Sequence, residues 1–318
     1  MQSPTYANIV AAADVVRRYL APTLLFDWPS LCDRLGFRFF LKHENHQPTG
    51  AFKVRGGLNL VSQLTDEEKQ RGVIGCSTGN HGQSLGLACQ RFGVKCTMVV
   101  PATTTSGKVA SMRAFGVEVI EHGKDFGDAM RRCEMLSYEQ GCRYVHSANE
   151  PQLIAGVGTM GLEIFDELPD ADVLLVPIGL GSGICGSAIV AAQRNPKTKV
   201  IGVQAAGASA VADSWKAGKM LAYDAIDTFA EGLATRQAAE LTMDIMRRLV
   251  SDIVLVSDDE MRSAMKWILE DTRNLAEPAG AATTAAAWKF RDQFRGKTVV
   301  GVVSGGNCDL RLVCELLA

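Results

Sequence analysis

Short apolar runs alternate with helical segments along most of this chain, and this alternation constrains the fold more than any other feature. Strand-like runs in the first half occur at 73–76, 96–100, 117–120 and 144–146, with helical segments between them at 82–92, 106–115 and 128–139. The second half repeats the pattern, with runs at 173–177, 200–203, 253–256 and 299–303. Apolar runs of this length that alternate with helices are typical of parallel sheets with crossover helices. The sequence therefore predicts an α/β protein.

Three further elements are predicted from local signals. Residues 6–20 carry apolar side chains at helical spacing, and Pro22 is expected to stop that helix. A short strand is expected at 37–41. Ser257 and Glu260 have the spacing of a capping box, which predicts a helix that runs to Glu270.

The chain has 318 residues, 47% of them hydrophobic, which predicts roughly two domains. We place a small α/β domain at 54–148 and a large α/β domain at 1–53 plus 149–318. No linker-like stretch separates the two parts. We therefore expect an extensive interface, with the functional site in the cleft between the domains.

Charge and composition argue against several classes of partner. The formal net charge of −2 gives no attraction to nucleic acid or to an anionic membrane, and no apolar run reaches the ~20 residues of a spanning helix. Arg17 and Arg18 follow the first short apolar stretch, which is the reverse of a secretory signal. The nine cysteines form no C-x-x-C pair, and the five histidines show no metal-binding spacing. We expect a cytoplasmic protein with reduced thiols, no nucleic-acid partner and no membrane partner.

Lys53 is the first candidate for chemistry. It lies between Phe52 and Val54, just after the structure-breaking stretch Pro48-Thr49-Gly50. Apolar neighbours and the positive end of a helix would both lower its pKa, which makes the amine a better nucleophile toward a carbonyl. The alternative is a surface lysine whose stem lies along a helix.

Three polar or glycine-rich turns follow predicted strands, at 76–83 (CSTGNHGQ), 177–186 (PIGLGSGICG) and 304–307 (SGGN). Ligands of parallel sheets bind at such strand-to-helix turns, and a helix N-terminus offers free N–H groups to an anion. Taken alone, each turn can also be explained without a ligand, as a helix cap or a tight turn. The second turn lacks the Lys-Ser/Thr of a nucleotide P-loop, and no clear ribose-binding acid indicates a dinucleotide fold.

Residues 42–57 (KHENHQPTGAFKVRGG), taken whole, resemble the lysine motif of the fold-type II enzymes that use pyridoxal 5′-phosphate (PLP). More narrowly, they resemble the threonine/serine dehydratase group, and the three turns extend the resemblance over nearly the whole chain. It implies two open parallel-sheet domains of the tryptophan synthase β type, the larger of which binds PLP. It also implies that Lys53 is catalytic and carries PLP as a Schiff base, with Phe52 beside the ring.

The same resemblance implies roles for the turns. Asn80 would hydrogen-bond the 3′-oxygen of PLP, and Ser304 would face the pyridine nitrogen. The PLP phosphate would be held by Gly179, Leu180, Gly181, Ser182 and Gly183, where the family usually has G-G-G-G-L. The substrate would be bound by Ser77, Thr78, Gly79 and His81. Glu277, in AEPAGA, is either a group near the ring or a surface helix cap.

The implied function is a PLP-dependent ammonia-lyase that converts a β-hydroxy L-amino acid to a 2-oxo acid and ammonia. L-Threonine or L-serine is the expected substrate, and 3-hydroxyaspartate or phenylserine is an alternative. A serine racemase is disfavoured, because Thr78 stands where racemases have serine and Gln204 stands where some members have a metal-binding glutamate. We accordingly expect no metal site. A silent PLP-binding protein remains an alternative outside the enzymes.

Two further expectations concern assembly and substrate choice. We expect a homodimer or a homotetramer. His43, His46 and the stretch 147–150 either mark an unusual substrate pocket or lie on the surface.

Overall fold

The computed structural model describes residues 2–317, and within them ten strands form two separate sheets. The strands are β1 (Leu25–Phe26), β2 (Arg38–His43), β3 (Val73–Cys76), β4 (Cys96–Val100), β5 (Glu118–Glu121), β6 (Arg143–Tyr144), β7 (Val173–Pro177), β8 (Lys199–Ala205), β9 (Asp252–Val256) and β10 (Thr298–Val303). The larger sheet has the order β1-β2-β10-β7-β8-β9, and the smaller has β5-β4-β3-β6.

Every strand pair is parallel except β1 with β2. The carboxyl ends of β10 and β2 are level, with Val303 opposite His43. Pro177, the last residue of β7, pairs with Val203, two residues before the end of β8. Strands β3, β4 and β7 are buried throughout. This burial explains why they read as continuous apolar runs in the sequence.

Helices cover the faces of both sheets. They are α1 (Tyr6–Val16), α2 (Pro29–Leu35), α3 (Lys53–Ser62), α4 (Asp66–Arg71), α5 (Asn80–Phe92), α6 (Ser106–Ala114), α7 (Phe126–Gln140), α8 (Pro151–Glu167), α9 (Ser182–Arg194), α10 (Ala210–Ala217), α11 (Glu240–Leu249), α12 (Asp258–Thr272), α13 (Pro278–Lys289), α14 (Arg291–Phe294) and α15 (Leu310–Leu317). Short 3₁₀ turns occur at Glu44–His46, Ala206–Ala208 and Glu231–Leu233.

The apolar core is divided by the sheets into layers. Helices α1, α8, α9 and α11 contribute to the core on one face of the large sheet, and α2, α12 and α13 to the core on the other. The small sheet packs against α3, α5 and α6 on one face and against α7 on the other. Across residues 2–317, no helix combines the length and the apolar character that a bilayer crossing requires.

The predicted fold class is confirmed: the chain is an α/β protein with two parallel sheets. The capping box is present, because Ser257 Oγ accepts from Glu260 N while Glu260 accepts from Ser257 N. The helix expected over 6–20 ends at Val16, several residues before Pro22. The last strand of the small sheet is Arg143–Tyr144, where 144–146 was expected. The small sheet lies within 73–144, but the division into domains stays a prediction.

Several chain segments meet at the carboxyl ends of the parallel strands. Strand β2 leads into the lysine loop, β3 into Ser77–His81, β7 into the glycine turn and β10 into Ser304. The carboxyl edge of parallel strands is where ligands of α/β sheets bind. The fold therefore brings the motifs together at one edge of each sheet.

Candidate active site

Lys53 is the first residue of α3 and is half-buried. Nζ donates to the carbonyl oxygen of Ser147 at 3.1 Å and to Ser182 Oγ at 3.2 Å, and the Phe52 ring centroid lies 5.5 Å away. Desolvation by burial lowers the pKa of Lys53 from 10.5 to about 8. The unprotonated amine is therefore far more abundant at neutral pH than that of an ordinary lysine.

This lowered pKa predicts how Lys53 reacts in the ligand-free protein. Only the unprotonated amine attacks an electrophile, so modification of Lys53 by an amine-reactive reagent should reach half its maximal rate near pH 8. Peptide mass spectrometry over a pH series measures Lys53 and the exposed Lys124 in the same sample. A common midpoint for the two lysines would contradict the desolvated site.

The loop that carries Lys53 is fixed from two sides. Phe52 N donates to the Ser304 carbonyl oxygen at 3.0 Å, and Ser84 Oγ donates to the Lys53 carbonyl oxygen at 2.6 Å. Ser304 is buried and follows β10 directly. The backbone around Lys53 therefore cannot shift without breaking a bond to the turn after β10 or a bond to α5.

The glycine turn after β7 has the geometry of an anion cradle. Gly181 precedes α9 with φ of +97°, a conformation that L side chains rarely adopt. A Cβ at Gly179 would lie 2.4 Å from the Gly232 carbonyl oxygen. The first N–H groups of α9, from Ser182 onward, have no partner within the helix. These donors and the helix dipole favour an anion at this turn.

The remaining turn residues tie the cradle to its surroundings. Thr242 Oγ1, on α11, donates to the Leu180 carbonyl oxygen at 2.6 Å. A Cβ at Gly183 would lie 3.2 Å from the Phe52 ring. The glycine turn and the lysine loop are therefore in direct contact, and they meet a second time through Ser182 and Lys53.

The turn after β3 carries the predicted substrate residues. Ser77, Thr78 and Gly79 are half-buried, and Ser77 Oγ accepts from Gly79 N at 3.3 Å. His81 is buried in the first turn of α5, and neither ring nitrogen has a hydrogen-bond partner. Burial, and then the charge of Lys53, lower the pKa of His81 to about 3. His81 is therefore a neutral imidazole with an unused N–H donor, which a bound molecule would satisfy.

Asn80 connects this turn to the large sheet. Its Nδ2 donates to Glu277 Oε1 at 2.9 Å, and its Oδ1 accepts from Asn307 Nδ2 at 2.8 Å. Glu277 is only 8% exposed, and its side chain forms no cap on α13. The interpretation of Glu277 as a surface helix cap is wrong, because the carboxyl is buried against Asn80.

The unusual residues of the sequence separate into two groups. Ser147 contacts Lys53 through its carbonyl oxygen. His43 is buried away from the amine, where its Nε2 accepts from Trp28 Nε1 at 3.0 Å, and His46 is exposed and stacks on it. The geometry therefore supports a pocket role for Ser147 and gives none to the two histidines.

The side-chain amide of Gln204 forms hydrogen bonds within the protein. Its Oε1 accepts from Ala212 N at 2.9 Å, and its Nε2 donates to Thr235 Oγ1 at 3.4 Å. No cluster of three or more His, Cys, Asp or Glu side chains that could hold a metal ion occurs in residues 2–317.

Sequence reasoning missed three contributors to the site. Asn307 lies within the SGGN turn, and its position after a predicted strand was the available signal. Thr242 and Ser84 lie inside helices and reach the site through single hydroxyl bonds to backbone oxygens. No pattern in the sequence distinguishes these two hydroxyls from others.

Comparison with known families agrees with this geometry. Residues 16–305 match the model of the family described as "Pyridoxal-phosphate dependent enzyme". The chain belongs to this family. PLP is therefore the cofactor of this enzyme.

Two curated relatives and one solved structure are informative. The chain is 35% identical to an L-threonine ammonia-lyase of Thermotoga maritima over 98% of its own length and 78% of the relative's. It is 33% identical to an L-threo-3-hydroxyaspartate ammonia-lyase of Saccharomyces cerevisiae, over 99% of this chain and 97% of the relative. The processed form of threonine deaminase isoform 2 of Solanum lycopersicum superposes with a TM-score of 0.93 at 34% identity, over 98% of this chain and 90% of the other.

The residues of this enzyme fit PLP. An aldehyde needs an unprotonated amine, which the lowered pKa of Lys53 provides. A phosphate needs converging N–H donors without intruding side chains, and Gly179 and Gly181 leave that space at the start of α9.

Proposed function

We propose that this enzyme converts a β-hydroxy L-amino acid, with L-threonine or L-serine as substrate, to a 2-oxo acid and ammonia. One observation carries the proposal: the desolvated Lys53 amine lies between the Ser147 carbonyl and the Ser182 hydroxyl of the glycine turn. A base in this position can attack a carbonyl and can take a proton from a substrate carbon next to it. The ammonia-lyase relatives support the same reaction class.

The proposed binding roles follow from the position of each group. The glycine turn of Gly179, Leu180, Gly181, Ser182 and Gly183 holds the phosphate, Asn80 the 3′-oxygen and Ser304 the pyridine nitrogen, with Phe52 beside the ring. Ser77, Gly79 and His81 bind the substrate carboxylate through hydroxyl, backbone and imidazole donors, and Thr78 also contacts the substrate. When bound, PLP supplies an electron sink for negative charge at the substrate Cα.

Lys53 is the proposed general base. Because its pKa is lowered to about 8, a sizeable fraction of the amine is unprotonated near neutral pH and can accept the Cα proton. Its fixed position makes the proton transfer effectively unimolecular. Loss of that proton and of the β-hydroxyl removes one water. Hydrolysis of the released enamine then gives one 2-oxo acid and one ammonia per amino acid.

Ser304 bears on which reaction is favoured. A hydroxyl facing the pyridine nitrogen is neutral, whereas a carboxylate there would keep the nitrogen protonated and strengthen the electron sink. A weaker sink favours prompt loss of the β-hydroxyl over transamination. A neutral Ser304 hydroxyl at this position therefore favours the elimination reaction in this enzyme.

The substrate is tested by a panel of pure β-hydroxy amino acids. We expect ammonia and 2-oxo acid in equal amounts from L-threonine or L-serine, and little from phenylserine or the two 3-hydroxyaspartate diastereomers. If 3-hydroxyaspartate were the only fast substrate, this enzyme would have the activity for which the yeast relative is named. A chiral assay of the remaining L-serine tests the racemase alternative, for which Thr78 supplies a hydroxyl in place of serine.

The enzyme is also proposed to act in the cytoplasm as a homodimer or a homotetramer. Phe26 in the edge strand β1 and Leu24 just before it are more than 40% exposed, and exposed apolar side chains at a sheet edge favour association. Light scattering during size-exclusion chromatography measures the assembly directly.

A further inference from the structure

The orientation of the Asn80 amide is set by two partners on opposite sides. A carboxyl oxygen of Glu277 receives its N–H at 2.9 Å, and the amide N–H of Asn307 reaches its oxygen at 2.8 Å. A flipped amide would place donor against donor at Asn307 and oxygen against oxygen at Glu277. One N–H of Asn80 is left without an assigned acceptor.

These bonds join parts of the chain that belong to different sheets. Asn80 begins α5 directly after the turn that follows β3 of the small sheet. Glu277 lies next to the start of α13, and Asn307 follows β10 of the large sheet. Asn307 also donates to the Thr49 carbonyl oxygen at 2.7 Å, in the loop that leads to Lys53. The amide of Asn80 is thus fixed across the cleft.

The carboxyl of Glu277 has no other evident task. It does not cap α13, and its backbone N–H is used by the Gly305 carbonyl oxygen at 3.0 Å. A Cβ at Gly305 would lie 2.6 Å from Glu277 Oε1, so glycine leaves the space that the carboxyl occupies. A buried carboxyl is costly unless it is hydrogen-bonded. Asn80 supplies that hydrogen bond.

Resting on the proposed role of Asn80, we propose that Glu277 is a positioning residue for the cofactor. With Asn307, it holds the Asn80 amide so that the free N–H points to the 3′-oxygen of PLP. Glu277 itself touches neither cofactor nor substrate.

Several charged or titratable groups face Glu277. Burial raises its pKa to about 7, and Glu231, in the 3₁₀ turn, adds to the rise. Lys108, on α6, opposes it and is ion-paired with Glu231. Cys308, after β10, stays a thiol because burial and then Glu277 raise its pKa. Glu277 therefore changes charge near pH 7, and the Asn80 contact becomes charge-assisted above that pH.

The test is the affinity of cofactor-free protein for PLP, measured by spectroscopic titration from pH 6 to 8.5. Every variant that keeps Lys53 should gain affinity near pH 8, where Lys53 loses its proton. Wild-type affinity should rise by about a further fivefold across pH 7, the difference between a neutral and a charged acceptor. Glu277→Gln keeps an acceptor but does not ionise, so its affinity should lack the rise across pH 7 and keep the one near pH 8. Glu277→Leu removes the acceptor and should bind PLP about 10- to 100-fold more weakly at every pH.

Glu231→Gln is the matched control. It leaves Asn80 untouched and removes a like charge near Glu277, so the midpoint of the rise should move to lower pH with little change in affinity at pH 8.5. If Glu277→Leu does not fold, the inference is tested by the pH dependence of PLP affinity in the wild type, Glu277→Gln and Glu231→Gln. A rise across pH 7 that persists unchanged in Glu277→Gln, or wild-type affinity in Glu277→Leu, overturns the inference. Failure of wild type itself to bind PLP would instead overturn the proposed function.

Discussion

Replacement of Lys53 by alanine should abolish turnover, with the rate falling by at least about 10²- to 10⁴-fold, the range that a general base contributes. The variant loses both the amine that attaches the cofactor and the base that takes the Cα proton. The visible absorbance of the covalently held cofactor should disappear with the activity. Initial rates of 2-oxo acid release and an absorbance spectrum of the purified variant measure both effects.

The Lys53 variant should still fold. Within residues 2–317 the amine forms no ion pair, so its removal strands no charge there and leaves the Ser147 carbonyl and the Ser182 hydroxyl without this donor. We expect a melting temperature within a few degrees of the wild type. Lys124→Ala, at an exposed position, is the control and should retain full activity. Appreciable activity in a folded Lys53→Ala protein would contradict the assignment of the catalytic residue.

Replacement of Arg55 by methionine should destabilise the protein by about 3–5 kcal/mol, the cost of removing one member of a buried ion-pair network. Arg55 is fully buried and makes two paired contacts, with Glu44 at 2.8 Å and 2.8 Å and with Glu163 at 2.6 Å and 2.7 Å. Lys42 Nζ lies 2.7 Å from the same Glu163. The network thus holds two cations and two carboxylates beneath α3, two residues from Lys53.

The Arg55 substitution leaves two carboxylates with one cation. Burial alone would raise the pKa of Glu44, but Arg55 outweighs burial and holds that pKa below its usual value. The native network therefore contributes stability at neutral pH that is lost as the pH falls below the ordinary pKa of glutamate. Without Arg55, this acid sensitivity should shrink as well.

Urea unfolding of the Arg55→Met variant measures the loss of stability. Arg131→Met is the control, because the pair of Arg131 with Asp128 lies on the exposed face of α7 and should cost less than about 1 kcal/mol. Equal losses for the two variants would show that the buried network does not stabilise the fold. Since a typical domain is stable by only about 5–15 kcal/mol, the expected difference is large.

The sequence predicted the buried strands well and the marginal elements poorly. The bounds of β3, β4 and β7 match the predicted 73–76, 96–100 and 173–177, because strands covered on both faces read as uninterrupted apolar runs. Strand β1 was missed, since two residues at a sheet edge carry no periodic signal. Helix α1 ends before its apolar pattern does, because the chain turns at Arg17–Leu20 with Leu20 N still bonded to Val16 O.

In the site, the sequence motifs identified the candidate residues, whereas several contacts between them are visible only in the folded structure. Lys53, the glycine turn and the turn after β3 were found from residue types, and the fold brings Lys53 and Ser182 within 3.2 Å. Contacts made by backbone atoms have no residue signature, as with the Ser147 carbonyl, 94 residues from Lys53 in the chain. The Asn80–Glu277 bond spans 197 residues and likewise needs the tertiary structure.

The central claim is that Lys53 drives release of a 2-oxo acid and ammonia from a β-hydroxy amino acid. The most direct measurement is the release of 2-oxo acid and ammonia from L-threonine and from L-serine. It is made with the PLP-bound wild-type enzyme and with the Lys53→Ala variant under the same conditions. We expect equal amounts of the two products from at least one of these substrates and none from the variant. Silence of the wild type on both substrates, with PLP bound, would contradict the proposed activity.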